Sequence, residues 1–327
     1  MKRIAIVIAI LFLACSKTEQ KSGKSFTIAV IPQGSTHEFW KSIHAGAMKA
    51  SQDEAKAGVN VTIIWKGPMR EDDREQQVQV VEGFVTQHVD GIVLAPFDKN
   101  ALVRPVEEAK RAGIPTVVVD SGLESADPIS FVASNNYHGG ELAADEMGRL
   151  LNGKGKVLAL RYQEGVFSTE QREKGFIERI KAAYPSIELI SSNQFAGATR
   201  DTAKTAAENL LNRFGNDLDG LFTPNESSTA GALLALEDAG KAGKIRFIGF
   251  DTSDVFVKAM HDGKLHGIVV QNPFRMGELG VKTLVAQLLG KPVEKRIDTG
   301  VTLITPANLD TPESQTLLHP PLEAYLK

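Results

Sequence analysis

The sequence predicts an α/β protein made of two similar doubly wound parallel-sheet domains. Three observations lead there. Short uninterrupted apolar runs, such as Ile28-Ala29-Val30-Ile31, read as strands buried on both faces. Helical patterns separate these runs, as crossovers between parallel strands require. The alternation runs through once and then restarts, and 327 residues suffice for two cores.

The first residues stand apart from the fold. Lys2 and Arg3 precede the apolar run Ile4 to Ala14, which is shorter than the roughly 20 residues a bilayer span needs. A basic start and a short apolar stretch make a secretory signal. It ends at Leu13-Ala14-Cys15, and Cys15 is the only cysteine. This resembles a bacterial lipobox, with Phe12 where the pattern usually has Leu, and it implies a signal peptide over 1–15 and a lipid on Cys15. Residues 16–25 read as a polar tether. A single cysteine rules out an intrachain disulfide.

From Phe26 the elements follow in order. The strand 26–31 ends in a Pro/Gly/Ser turn, and Phe39-Trp40 opens a helix over 37–57. Val61 to Trp65 is a strand. Glu71 to Val89 carries valines at helical spacing, with Glu71-Asp72-Asp73 expected in its first turn, where acidic side chains suit the helix dipole. Strand 92–95, a helix marked by Leu102, Val106 and Ala109, and strand 114–119 complete the first run. The second run has helices at 137–151, 169–183, 199–214, 228–239, 255–260 and 274–289. Its strands are expected at 157–160, 187–190, 221–223, 246–250, 268–270 and 297–304.

Ligands of such sheets bind beyond the carboxyl ends of the strands, so polar residues just after strands carry the functional signal. Asp120, Asn225, Asp251 and Gln271 each sit there, and Gln33 lies near the first strand end. Any one of them also suits a helix cap. Together they offer acceptors and amides for neighbouring hydroxyls, and Phe39 and Trp40 offer flat apolar faces for a sugar ring or for the core.

Composition and motifs narrow the classes. The formal charge is −3, there is no basic run, and without Lys2 and Arg3 the chain carries 35 basic against 40 acidic residues. That argues against nucleic acid. No HExxH, GxSxG, P-loop or GxGxxG is present, so an enzyme is not expected and no cofactor or metal is implied.

TIAVIPQGSTHEFW, GIPTVVVDSG, VASNNYHGGELAA, QREKGF, PNESSTAGALLAL, FIGFDTSD and IVVQNPFRMGELGV carry a resemblance spanning about Thr27 to Thr305. The chain resembles the periplasmic sugar-binding proteins of the ribose-binding type, the receptors of ABC importers. Their periplasmic binding protein-like I fold is shared with the ligand-binding part of the LacI-type repressors. The resemblance implies a sugar cleft lined by Phe39, Trp40, Asp120, Arg172, Asn225, Asp251 and Gln271. It also implies three crossings, near Ala133 to Asn135, Gln271 and Thr299-Gly300, that serve as a hinge. One lobe is then 26–133 plus 272–299 and the other 134–271 plus 300–327. Gln33, His37 and Ser121 stand at site positions where the ribose pattern has a small polar residue, an asparagine and an arginine. Ala198 stands near the place of an aromatic. These departures point to a roomier pocket and away from ribose itself. The partners implied are a sugar-like ligand, an ABC permease and its ATPase, with the membrane reached only through Cys15. A monomer in the periplasm or on the outer face of the cell membrane follows. A receptor signalling to a chemoreceptor or sensor kinase is the alternative.

Overall fold

A computed structural model describes residues 23–326 apart from Thr36; the signal segment and Cys15 lie outside the described residues. The first half of the chain runs β1 (Ser25–Ile31), α1 (Glu38–Lys56), β2 (Asn60–Trp65), α2 (Arg74–Thr86), β3 (Gly91–Leu94), α3 (Val103–Arg111), β4 (Thr116–Val119) and β5 (Ser130–Ala133). Then come α4 (Asn136–Leu150), β6 (Gly155–Arg161), α5 (Phe167–Ala183), β7 (Ile187–Phe195), α6 (Arg200–Phe214) and β8 (Gly220–Phe222). The chain continues with α7 (Glu226–Asp238), β9 (Arg246–Phe250), α8 (Asp254–His261), β10 (Gly267–Gln271) and α9 (Pro273–Leu288). It closes with β11 (Arg296–Asp298), β12 (Val301–Ile304) and α10 (Pro312–Leu318).

The strands form two sheets of the same plan, ordered β2-β1-β3-β4-β5-β11 and β7-β6-β8-β9-β10-β12. Every pairing is parallel except β12, which runs antiparallel to β10. Side chains alternate across a strand, so each central strand feeds two cores. In β1, Ile28 and Val30 pack with Trp40, Ile43 and Leu284, whereas Ala29 and Ile31 pack with Val81, Phe84 and Val106. In β6, Val157 and Ala159 face Met147 and Phe176, and Leu158 and Leu160 face Leu211 and Leu236. Two-sided burial is why these strands read as continuous apolar runs.

Each lobe also presses its first helix against a helix that has just crossed from the other sheet. α1 meets α9, and α5 meets α4. Paired glycines permit the approach: a Cβ on Gly46 would lie 1.9 Å from Phe274 O, and one on Gly277 would lie 2.0 Å from Ile43 O. In the second lobe, a Cβ on Gly140 would lie 2.0 Å from Arg172 O, and one on Gly175 would lie 2.1 Å from Tyr137 O. No other side chain fits at those four places.

The chain passes between the sheets at 134–135, at Asn272 and at 299–300. Asn135 and Asn272 cap the helices that follow, accepting from the N–H of His138 and Arg275. Ser134 Oγ ties two of the crossings together, donating to Gly300 O at 2.7 Å and lying 3.3 Å from Thr299 Oγ1.

Four details differ from the sequence reading. Residues 130–133 form a strand that their short, partly polar run did not announce. The expected strand 297–304 is two strands in different sheets, broken where Gly300 takes φ 84°. α2 begins at Arg74, because the Asp73 side chain caps it by accepting from Gln76 N–H, which leaves Glu71 outside the helix. The tail beyond α10 returns to the first lobe. Pro320-Pro321 ends the helical path, and Tyr325 reaches the ring of Phe274 with centroids 5.6 Å apart.

Candidate ligand-binding site

The carboxyl ends of both sheets face one cavity. It is lined from the first lobe by Gln33, His37, Phe39, Trp40, Glu71 and Asp120. The second lobe supplies Tyr162, Val166, Ser168, Thr169, Arg172, Asn225, Glu226, Asp251 and Gln271.

The loops that carry these residues are braced from behind. Gln77 is fully buried, with Nε2 donating to Pro32 O at 2.9 Å and Ala95 O at 2.8 Å and Oε1 accepting from Phe97 N–H at 2.9 Å. It locks the turn after β1 to the end of β3. Gln33 donates to Pro96 O at 3.0 Å, so its amide serves the same bracing.

Phe39 and Trp40 form an edge-to-face pair, with centroids 5.0 Å apart and planes at 84°. Trp40 is both core and wall: it is 3% exposed, and its Nε1 donates to Glu71 Oε1 at 2.6 Å. Glu71 is the hub of that end. It also lies 3.0 Å from His37 Nδ1 and accepts from Tyr162 OH of the other lobe at 2.9 Å. Burial works against its charge, but the bonds from His37, Trp40 and Tyr162 outweigh burial and hold its carboxyl below the usual range. Burial likewise opposes a charge on His37, yet Glu71, helped by Glu226, keeps that imidazole above its usual value.

Arg172 reverses the ordinary expectation for a helix-borne arginine. It is 2% exposed, with Nε donating to Asn136 Oδ1 at 2.8 Å and Nη1 to Pro224 O at 2.9 Å. Its guanidinium lies 4.0 Å from the centre of the Phe250 ring, and Nη1 is 3.8 Å from Asp251 Oδ2. Asp251 accepts from Gln271 Nε2 at 2.8 Å and from Glu226 N–H at 3.2 Å. Asn225 opens α7; its Nδ2 donates to Ser227 Oγ at 3.0 Å, and Ser228 Oγ donates to its Oδ1.

Asp120 is 4% exposed, and its Oδ1 has no hydrogen-bond partner among the described residues. Burial pushes its carboxyl up to about 7; Arg172 opposes this, and the charges of Asp251 and Glu71 add to it.

The structure thus brings nine of the ten sequence-named site residues to one cavity. Ser121 is the exception. It is fully buried behind the wall, where its Oγ accepts from Ser168 N–H of the other lobe at 3.2 Å. Facing the backbone of α5 uses its hydroxyl as a link between lobes. Sequence reasoning missed Glu71, Tyr162 and Glu226. Tyr162 follows β6 directly and Glu226 follows Asn225 at the start of α7, so the strand-end rule that found Asn225 had the means to find them. Glu71 carried no such signal. The end near Ala198 holds an aromatic cluster of Phe97 and Tyr162 with Val166, so a tyrosine ring fills space there.

Residues 28–292 match the family described as periplasmic binding protein domain. The ribose import binding protein of Bacillus subtilis is 31% identical over 282 residues, 86% of this chain and 88% of that one. A carbohydrate transporter solute binding protein from Agrobacterium radiobacter, solved in complex with D-arabinose, superposes with a TM-score of 0.84 at 31% identity, covering 90% of this chain and 99% of the other. An ABC transporter solute binding protein from Agrobacterium vitis with bound D-fucose gives a TM-score of 0.84 at 36% identity, covering 90% and 100%. The chain belongs to the periplasmic binding protein family, in its type I, ribose-binding branch.

Proposed function

We propose that this chain is the solute-binding component of an ABC importer, taking a monosaccharide or similar polyhydroxylated molecule between its lobes. The observation that carries the reading is the cavity: carboxylates and amides gathered where the strand ends face one another, with one arginine from α5, beside the Phe39-Trp40 wall. Such a set suits a ring with several hydroxyls and an apolar face. Phe39, Trp40, Asp120, Arg172, Asn225, Asp251 and Gln271 are assigned to the ligand, with Gln33 and His37 as tuning residues. The names and bound sugars of the relatives support the class.

Closure about the crossings near 134–135, 272 and 299–300 is the mechanism. The lobes are 26–133 plus 272–299 and 134–271 plus 300–327, with the last few residues strapped back onto the first. Ligand favours the closed form because only that form offers it both walls. A permease reads the closed shape, and no bond of the ligand is made or broken. Acylation of Cys15 places the protein, as a monomer, on the outer face of the membrane.

A thermal-melting screen of protein beginning after Cys15 tests this directly. At 100 times the dissociation constant, ligand adds about 2.7 kcal/mol, or roughly 5–10 °C in melting temperature for lobes of this size. A panel of pentoses, hexoses, 6-deoxyhexoses and polyols that leaves the melting temperature unmoved would sink the proposal.

A further inference from the structure

The fully buried, unpartnered side-chain atoms of the cavity lining are all of one kind. Among its described lining residues, the buried side-chain atoms without a hydrogen-bond partner are Asp120 Oδ1, Glu226 Oε2 and Gln271 Oε1. Each is an oxygen that accepts. A ligand group that meets one of these oxygens must donate to it, which a carboxylate or phosphate oxygen cannot do. Of the three residues, only Glu226 lies outside the set named from the sequence.

Glu226 is held so that one of its oxygens stays free. It begins α7 and is 7% exposed, and its backbone N–H donates to Asp251 Oδ2 at 3.2 Å. Oε1 is taken by the guanidinium of Arg200, a residue whose side chain is half exposed. Oε2 lies 3.9 Å from His37 Nδ1, beyond hydrogen-bond distance, and that nitrogen already serves Glu71 Oε1 at 3.0 Å. Anchoring Arg200 occupies one oxygen only, and the other stays buried and unpartnered at the cavity lining.

We propose that Glu226 is a ligand-recognition residue: its Oε2 takes a hydroxyl or amino donor of the bound sugar at the His37 end, and it excludes ligands with a carboxylate or phosphate there. Exclusion follows because an anionic group at that end would meet Glu226 with Glu71 close behind. The inference rests on the sugar-receptor reading and adds a residue and a charge rule to it.

Glu226→Gln tests it sharply. Arg200 donates only, so the amide must turn its oxygen to Arg200 and its NH2 into the cavity, which reverses the polarity at that spot. Calorimetric titration uses the tightest binder among D-fucose, D-arabinose and D-ribose, together with its monodeoxy analogues. Glu226→Gln is expected to weaken the parent sugar at least about tenfold, the scale of one hydrogen bond to a charged group. One monodeoxy analogue, penalised in the wild type, should carry no further penalty in the variant. Arg200→Gln, which keeps the carboxylate, should stay within about threefold of wild type. Glu226→Asp retracts the carboxylate without changing its charge, and it should show the same analogue pattern if Glu226→Gln melts too low to titrate. Parent-sugar affinity within about twofold of wild type, or an equal loss across all analogues, overturns the inference while leaving the receptor reading intact. Failure of the wild type to bind these three and every other member of the pentose, hexose, 6-deoxyhexose and polyol panel overturns both.

Discussion

The two lobes place an aspartate at the same point of the same fold and use it differently. Asp120 follows β4 and Asp251 follows β9, each the fourth strand from the corresponding edge of its sheet. Their φ angles are 62° and 65°, and their backbone N–H groups donate to the next strand, at Val132 O and Val269 O, over 3.1 and 2.8 Å. Burial raises both carboxyls against the opposing charge of Arg172, and the two differ in their hydrogen-bond partners. Asp251 is satisfied by Gln271, by the N–H of Glu226 and by the nearby charge of Arg172. Asp120 has a bare oxygen and a carboxyl pushed up to about 7 by burial. One carboxylate is built into the second lobe, and the other waits for donors from outside. Positive φ at a non-glycine residue costs energy, and both lobes bear it to aim a side chain into the cleft.

The largest expected effect breaks the built-in half. Asp251→Ala leaves Arg172 buried without its facing carboxylate and Gln271 without its acceptor. Removing one partner of a buried pair costs about 3–5 kcal/mol, so chemical denaturation should show that loss together with loss of ligand binding. Asp120→Asn should do the opposite to stability. The folded-state pKa of Asp120 is raised, so the carboxyl costs stability progressively as pH rises from about 4 to 7, and fully above 7. Relief of that cost should make the ligand-free variant more stable at pH 8 by on the order of 3 kcal/mol, while ligand affinity falls by about tenfold or more. Equal destabilisation by the two substitutions would erase the distinction between the lobes.

A smaller effect is kinetic in none of its parts and is read from affinity alone. A ligand hydroxyl that donates to Asp120 needs the carboxylate, so affinity should fall as pH drops below about 7, approaching tenfold per unit. Titrations at pH 8 and pH 6 check the slope. Its loss in Asp120→Asn would separate Asp120 from His37, Glu226 and Asp251, whose imidazole and carboxyls are also raised. The smallest effect concerns the contact between lobes. Tyr162→Phe removes one bond from Glu71, which keeps Trp40 and His37. Affinity should weaken by roughly three- to tenfold, the value of a single hydrogen bond, with the melting temperature of the ligand-free protein little changed.

Much of this was legible from residues alone. Strands buried on both faces announce themselves as apolar runs, and the fixed place of ligands at strand ends turned four polar residues into a site. The same logic fell short in physical rather than accidental ways. Strand β5 is short and starts with Ser130, so no apolar run marks it. Glu71 resembles any acid near a helix start, and its role comes from meeting Tyr162, 91 residues away, across the cleft. Arg172 gave no sign of its burial, because a helix-borne arginine reads the same whether solvated or stacked on Phe250. Local patterns report faces and ends; they do not report which ends face one another.

The central claim is that Asp120 is held open for the ligand, and proton release on binding tests it most directly. Calorimetry of the wild type at pH 6 with the tightest-binding sugar, in two buffers of different ionisation enthalpy, gives the number of protons released. The account predicts one ligand per chain and close to one proton released, since a carboxyl with a pKa of about 7 is mostly protonated before binding. Sugar binding with no proton released, and unchanged in Asp120→Asn, would contradict it.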